Sequence, residues 1–207
     1  MRHREACSAF TLVEILITVG IIAILAVIAI PNLLLAQTRA KVTRVKADLA
    51  AVVVALELYH TDRNAYPTYH YANNQEANGG TSFHAGGSVL DLGVSPEFDG
   101  RNPLTTPVAY LTAMPTDPFN TRSPDESPEV SQYYYVNWDY AIERIPSPDN
   151  DAFLKLRKLQ GPWRLHSNGP DRTGPDSDVL EGQVIYSPAN GTISRGDIVR
   201  TQKLGQQ

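Results

Sequence analysis

The sequence predicts an α+β protein in which a long N-terminal membrane-spanning helix continues into a globular head with a small antiparallel sheet. Three observations predict it. Residues 15–30 read ILITVGIIAILAVIAI without a single charge. Val42, Val45, Leu49, Val52, Leu56 and Tyr59 then recur at intervals of three and four, the stripe of an amphipathic helix. Short runs of aromatic and β-branched residues gather only beyond residue 130.

The composition narrows the function. A chain of 207 residues fits one compact domain with an additional element. The net charge of -4, with Lys and Arg spread thinly apart from Arg39, Lys41, Arg44 and Lys46, argues against a nucleic-acid partner. A single cysteine, Cys7, excludes an intrachain disulfide and a metal site built on thiolates. Prolines and glycines concentrate beyond Tyr66, so a loop-rich body follows a helical front.

The first element spans Phe10 to Leu35, about 39 Å as a helix and therefore long enough to cross a bilayer. A soluble core helix would carry a polar face at 3.6-residue spacing, and none is visible. Arg2 and Arg4 precede the run and place the N-terminus on the cytoplasmic side. Glu14 stands at its front edge, where a carboxylate costs on the order of 3 kcal/mol unless it finds a partner, and so reads as functional. An ordinary signal peptide or passive anchor is the alternative, but the apolar core runs on into PNLLLAQTRAKV with no evident exit cleavage site. Pro31 removes one helical hydrogen bond and reads either as a kink that helps helices pack or as a helix end at the interface.

The segment AFTLVEILITVGIIAILAVIAIPNLLLAQ resembles the processing and methylation segment of type IV pilins and type II secretion pseudopilins. The resemblance covers Ala9 to about Leu58: a short basic leader, a small residue, Phe-Thr-Leu-Val-Glu, and an unbroken apolar helix containing proline. It implies cleavage by a prepilin peptidase between Ala9 and Phe10 and N-methylation of Phe10. Alanine stands at Ala9 where the family usually has glycine. Cleavage would create an α-amine beside the apolar phase, and in a bundle of subunits the Glu14 carboxylate of one chain can pair with the amine of its neighbour. Glu14 and Pro31 are thus the expected assembly residues.

The remaining elements follow in order. Residues 1–9 read as a leader, 10–35 as the transmembrane half of the helix, and 36–63 as its amphipathic half. The end of that helix, ALELYHTDRNAYP, supplies good stop and turn residues and resembles the family's end-of-helix signature. Residues 64–130 read as a loop-rich helix-to-sheet connection and 131–207 as the sheet with its tail. Within the connection, Gly79-Gly80 and Gly86-Gly87 lack the lysine and the strand-turn-helix frame of a phosphate loop. Residues 102–119 predict a short helix and then a proline-bounded crossing, whose MPTDPF resembles the pseudopilin lead into the sheet. Strands are predicted over 131–138, 162–167 and 183–187.

Between the last two predicted strands, Asn168, Asp171, Asp176 and Asp178 offer hard oxygen donors, with Gly169 and Gly174 allowing tight turns. The spacing is not that of an EF-hand, and a solvated acidic turn is the alternative. SNGPD and DSD resemble the calcium loop of the major pseudopilin, which implies Asp171 and Asp178 as calcium ligands with Asp176 as a third carboxylate. No catalytic pattern emerges: His60, His70, His84 and His166 are scattered, and Ser167 beside His166 lacks a nucleophile elbow. Arg195-Gly196-Asp197 is a short chance match to an adhesion motif.

The resemblance implies a non-enzymatic subunit, single-pass in a bacterial inner membrane with its head periplasmic, that polymerises into a pseudopilus driving type II secretion. Its implied partners are further copies of itself, the peptidase, the inner-membrane assembly platform and minor pseudopilins. A type IV pilus subunit and a signal-anchored extracytoplasmic binding protein are the rival expectations.

Overall fold

The computed structural model describes residues 10–68, 102–120, 133–144, 150–172, 185–190 and 196–203. The chain divides into two units, Met1–Arg39 and Ala40–Gln207. The first element, helix α1, runs Leu12–Arg63.

In the first unit α1 has apolar side chains on all sides and they stay exposed; Val27, for example, is 73% exposed. That surface is stable only against lipid or other apolar helices. Helical geometry continues through Pro31, so the reading of that proline as a helix end does not hold. Proline cannot donate to the carbonyl four residues back, that of Val27; one residue further on, the Asn32 side-chain amide donates to the Ile28 carbonyl at 3.1 Å. Thr18 and Thr38 likewise turn their hydroxyls onto the carbonyls of Ile15 and Leu34. The donors of these three polar side chains are thereby satisfied within the helix, as a lipid environment favours.

In the second unit the predicted stripe is the core-facing side of α1. Val45, Leu49, Val52 and Leu56 are fully buried, with Val42 and Tyr59 nearly so. The helix stops at Arg63 because Asn64 adopts a left-handed conformation (φ 52°), and its N–H closes on the His60 carbonyl at 2.7 Å. Two acidic residues off the stripe tie the helix to distant segments. Asp48 accepts from the Tyr133 hydroxyl at 2.8 Å. Glu57 accepts from the Tyr66 hydroxyl at 3.0 Å and from the Trp163 indole at 3.2 Å. Burial and the Glu57 carboxylate push the Tyr66 phenol up to about 12.

Among the described residues the sheet has three antiparallel strands in the order β1 (Tyr134–Asn137), β2 (Trp163–Ser167) and β3 (Ile198–Thr201). Tyr135 pairs with Leu165, and Leu165 with Arg200. All five residues of the central strand are buried. Tyr133, Tyr135, Trp163, Leu165 and Ile198 join the α1 stripe in one hydrophobic cluster. Between β1 and β2 the chain forms two helices, α2 (Trp138–Arg144) and α3 (Asn150–Gln160).

Three expectations are corrected. Residues 102–120 are turns and bends with no helix; Asn102 instead caps its own turn, its side chain accepting from the Leu104 N–H at 2.9 Å. The first strand ends at Asn137, because Trp138 begins α2. The third strand among the described residues is Ile198–Thr201, and residues 185–187 of the predicted strand form none. Among the latter, Ile185 makes only an isolated parallel bridge to Asp197, and Pro188 opens a short 3-10 turn that cannot extend a ladder. Residues 131–132 and 183–184 lie outside the described residues.

Candidate functional site

Two places were predicted to carry function, one in each unit. In the first, Phe10 is 82% exposed directly ahead of α1. Thr11 and Glu14 form a reciprocal cap on the helix start. The Glu14 carboxylate accepts from the Thr11 N–H at 2.8 Å and from the Thr11 hydroxyl at 2.7 Å. The same hydroxyl receives the Glu14 N–H at 3.3 Å. This is a capping box, threonine at the cap and glutamate at the third helical position. Both of these hydrogen bonds to the side chain fall on Oε2. The cap therefore fixes the carboxylate beside Phe10, where a second donor can reach it. Ala9 lies outside the described residues.

The second place is the turn after β2. Its base is built on buried polar groups: Asp117, Ser167 and Asn168 are all less than a tenth exposed. Asp117 accepts from the Phe119 N–H at 2.9 Å. Burial pushes its carboxyl up, against hydrogen bonds from Ser167, Phe119, Asn120 and Asn168 that favour the charge. The turn needs glycine at Gly169, which adopts φ 67° directly over the backbone of Gly196. Asp171 then reaches across, accepting from the Gly196 N–H at 3.0 Å. Asn168 Oδ1 is a buried acceptor without a hydrogen-bond partner. Asp176 and Asp178 lie outside the described residues. Among the described residues no group of three or more His, Cys, Asp or Glu side chains could hold a metal ion.

The chain is similar to known pilus and secretion components. The type II secretion system core protein G of Pseudomonas aeruginosa is 42% identical over 66 residues, 32% of this chain and 46% of that protein. The type IV wide pilus major component PilA4 of Thermus thermophilus is 53% identical over 57 residues, 28% of this chain and 44% of its own. The chain is pilin-like. The pilin-like chain thus spans a little under half the length of these curated relatives. The core protein G of Dickeya chrysanthemi aligns more widely, 26% identical over 170 residues, 80% of this chain and 94% of that protein. No family model and no solved structure matches the pilin-like chain.

Two residues of these sites escaped the sequence reading. Thr11 was visible as the T-x-x-E pattern ahead of an apolar run, a capping signature hidden by attention to the charge alone. Asp117 had only the local signal of a turn residue, accepting from the Phe119 N–H two residues on, while its partners at Ser167 and Asn168 are far away in sequence. Asp197 of the Arg195-Gly196-Asp197 match is 5% exposed and sits 3.8 Å from the buried Arg164 guanidinium.

His166 is fully buried, stacked on Tyr134 at 4.8 Å, with neither ring nitrogen hydrogen-bonded. Burial, and then the Arg164 charge, hold its pKa well below the usual value. The unfolded chain therefore binds a proton that the folded head refuses. Stability is full above about pH 6.5 and falls as the pH drops below it, at up to about 1.4 kcal/mol per pH unit. Thermal melts of His166→Phe are expected to match the parent within about 1 kcal/mol at pH 8 and to lose that acid sensitivity, because the substituted ring leaves no polar atom unpaired. An unchanged acid slope in the variant would assign the sensitivity to other groups.

Proposed function

We propose that this chain is a structural, non-enzymatic subunit that polymerises into a pseudopilus serving type II protein secretion. The observation that carries the reading is the exposed, all-round apolar stretch of α1 over residues 12–35, whose one carboxylate, Glu14, is held at its start beside Phe10. Such a helix needs both a membrane before assembly and like helices after it. In this reading the chain is single-pass in the inner membrane, with its N-terminus cytoplasmic and its head periplasmic. A prepilin peptidase cuts between Ala9 and Phe10, Phe10 is N-methylated, and Glu14 of one subunit pairs with the new amine of its neighbour. Pro31 loosens the helix so that subunits pack closely. The assembly platform and minor pseudopilins are the further partners, and work is supplied from outside the chain.

Calcium belongs to the same proposal, held by Asp171, Asp178 and Asp176. The donor chemistry supports it: the turn is rich in hard oxygens, and Asn168 Oδ1 at its base is an acceptor without a hydrogen-bond partner. Asp171 already bridges to Gly196, so an ion there would tighten an existing closure of the turn onto the segment leading into β3.

A type IV pilus subunit is the second reading, favoured by the pilus components of Thermus thermophilus and Myxococcus xanthus among the relatives, the latter 30% identical over 132 residues. Intact mass and N-terminal sequencing of membrane-extracted protein, with and without the peptidase, test both readings together. A peptidase-dependent product beginning at methylated Phe10 is expected. An uncut chain, or a cut beyond Ile30, would remove both and leave a passively anchored binding protein.

A further inference from the structure

The turn after β2 rests on a residue from elsewhere in the chain. Asp117 belongs to the proline-bounded segment 102–120, yet it is only 3% exposed and lies against Ser167 and Asn168. Its Oδ1 accepts from the Phe119 N–H at 2.9 Å. The Ser167 hydroxyl and the Asn168 N–H approach the same carboxylate from the turn. Oδ2 nonetheless has no donor in hydrogen-bond geometry, and neither has Asn168 Oδ1. Two buried oxygen acceptors without donors therefore belong to residues in contact with each other. Buried acceptors are nearly always paired, so each calls for a partner.

A cation answers both. Among the described residues no Lys, Arg or His side chain forms an ion pair with Asp117, and a buried carboxylate is seldom left unpaired. The two acceptors are hard oxygens, one from a carboxylate and one from an amide. Calcium takes both kinds, and carbonyl oxygens complete its shell, so three charged side chains are not required. Asp171 stands on the same turn as Asn168 and holds the Gly196 N–H at 3.0 Å.

We infer that Asp117 and the Asn168 side chain are calcium ligands on the inner side of this turn. The inference rests on the calcium reading above and extends it to a residue outside the acidic loop. Calcium then joins three segments that are distant in sequence: residues 102–120, the turn after β2 and, through Asp171, the backbone entering β3 at Gly196.

The test uses the full-length chain in detergent, stripped with a chelator and titrated with Ca²⁺ by calorimetry. Asp117→Asn keeps an acceptor for the Phe119 N–H and removes the charge. It is expected to melt close to the parent in chelator and to bind Ca²⁺ at least about tenfold more weakly, since ligand charge sets affinity. Asn168→Asp should bind more tightly. Tb³⁺ in place of Ca²⁺ separates ligation from mere support of the turn, because its luminescence lifetime in H₂O and D₂O reports the waters on the ion. Asn168→Ala and Asp117→Ala should each admit about one further water. Where Asp117→Ala fails to fold, Asn168→Ala decides alone. A parent that binds Ca²⁺, with variants of unchanged affinity or an unchanged water count, overturns the inference and leaves the turn's own aspartates as the site. That outcome would assign the two acceptors to a shared buried water. A parent that binds no Ca²⁺ overturns the calcium reading itself, and this inference with it.

Discussion

Glu14→Ala is expected to give a chain that enters the membrane normally and forms no fibres. Removing the carboxylate lowers the cost of insertion, since a charge at the edge of the apolar phase is unfavourable. It also breaks the capping box with Thr11, but that affects only the first turn and costs about 1 kcal/mol, against a long run of residues that lipid supports. Assembly is different. Each incoming subunit would bring an α-amine into an apolar bundle with no anion to meet it. A penalty on the order of 3 kcal/mol per subunit is roughly a hundredfold in association. Glu14→Gln separates the two roles of the side chain. Glutamine at the third helical position maintains the cap but carries no charge. Fibre yield from Glu14→Gln as low as from Glu14→Ala assigns the effect to charge pairing; yield equal to the parent would mean that capping is the whole role of Glu14. Thr11→Val completes the set, because it removes the hydroxyl from the cap while leaving the backbone N–H bond to the carboxylate and its charge.

The second large effect is expected from Gly169→Ala. Gly169 adopts φ 67°, a region that costs an alanine about 1–2 kcal/mol. The added methyl would also fall well inside contact distance of the Gly196 carbonyl oxygen. The obstacle is backbone, which cannot swing aside as a flexible side chain would. To make room, the turn after β2 must lift from the segment entering β3, and the bond from Gly196 N–H to Asp171 stretches or breaks. Together these changes are expected to cost about 2–4 kcal/mol, lowering the melting temperature of the head by roughly 10 °C. If calcium binds in this turn, its affinity should fall in parallel, since Asp171 would lose its position. A melting temperature within about 2 °C of the parent would show that the two segments are not in register contact in solution.

The two expectations sit at opposite ends of what a sequence reveals. The apolar run, its length and the isolated Glu14 were all legible, because a membrane imposes one simple rule on every residue it touches. The α1 stripe was legible for a related reason. Spacing of three and four states which side of a helix is apolar whatever that side meets, and Val45, Leu49, Val52 and Leu56 are buried as their spacing requires. The stop at Arg63 follows from the local chemistry of Asn64. Helix α3 also carried local signals that went unread, with Asn150 and Asp151 at its start and Gly161, at φ 93°, closing its end on the Arg157 carbonyl.

Sequence by itself therefore determined the fold class of the protein, the length and buried side of its long helix, and the one carboxylate at the start of its apolar run. Only the tertiary structure decided which β-prone run completes the sheet. Residues 183–187 and Ile198–Thr201 have comparable propensity, and the choice depends on fit beside the central strand. It also decided that Asp48 and Glu57 serve as acceptors for Tyr133 and Trp163, 85 and 106 residues away. It decided likewise that Asp171 ties down the backbone of Gly196. Periodicity is set by neighbours three or four residues apart and is written in the chain. A strand's partner or a carboxylate's donor comes from distant residues, and becomes defined only when the core brings them together.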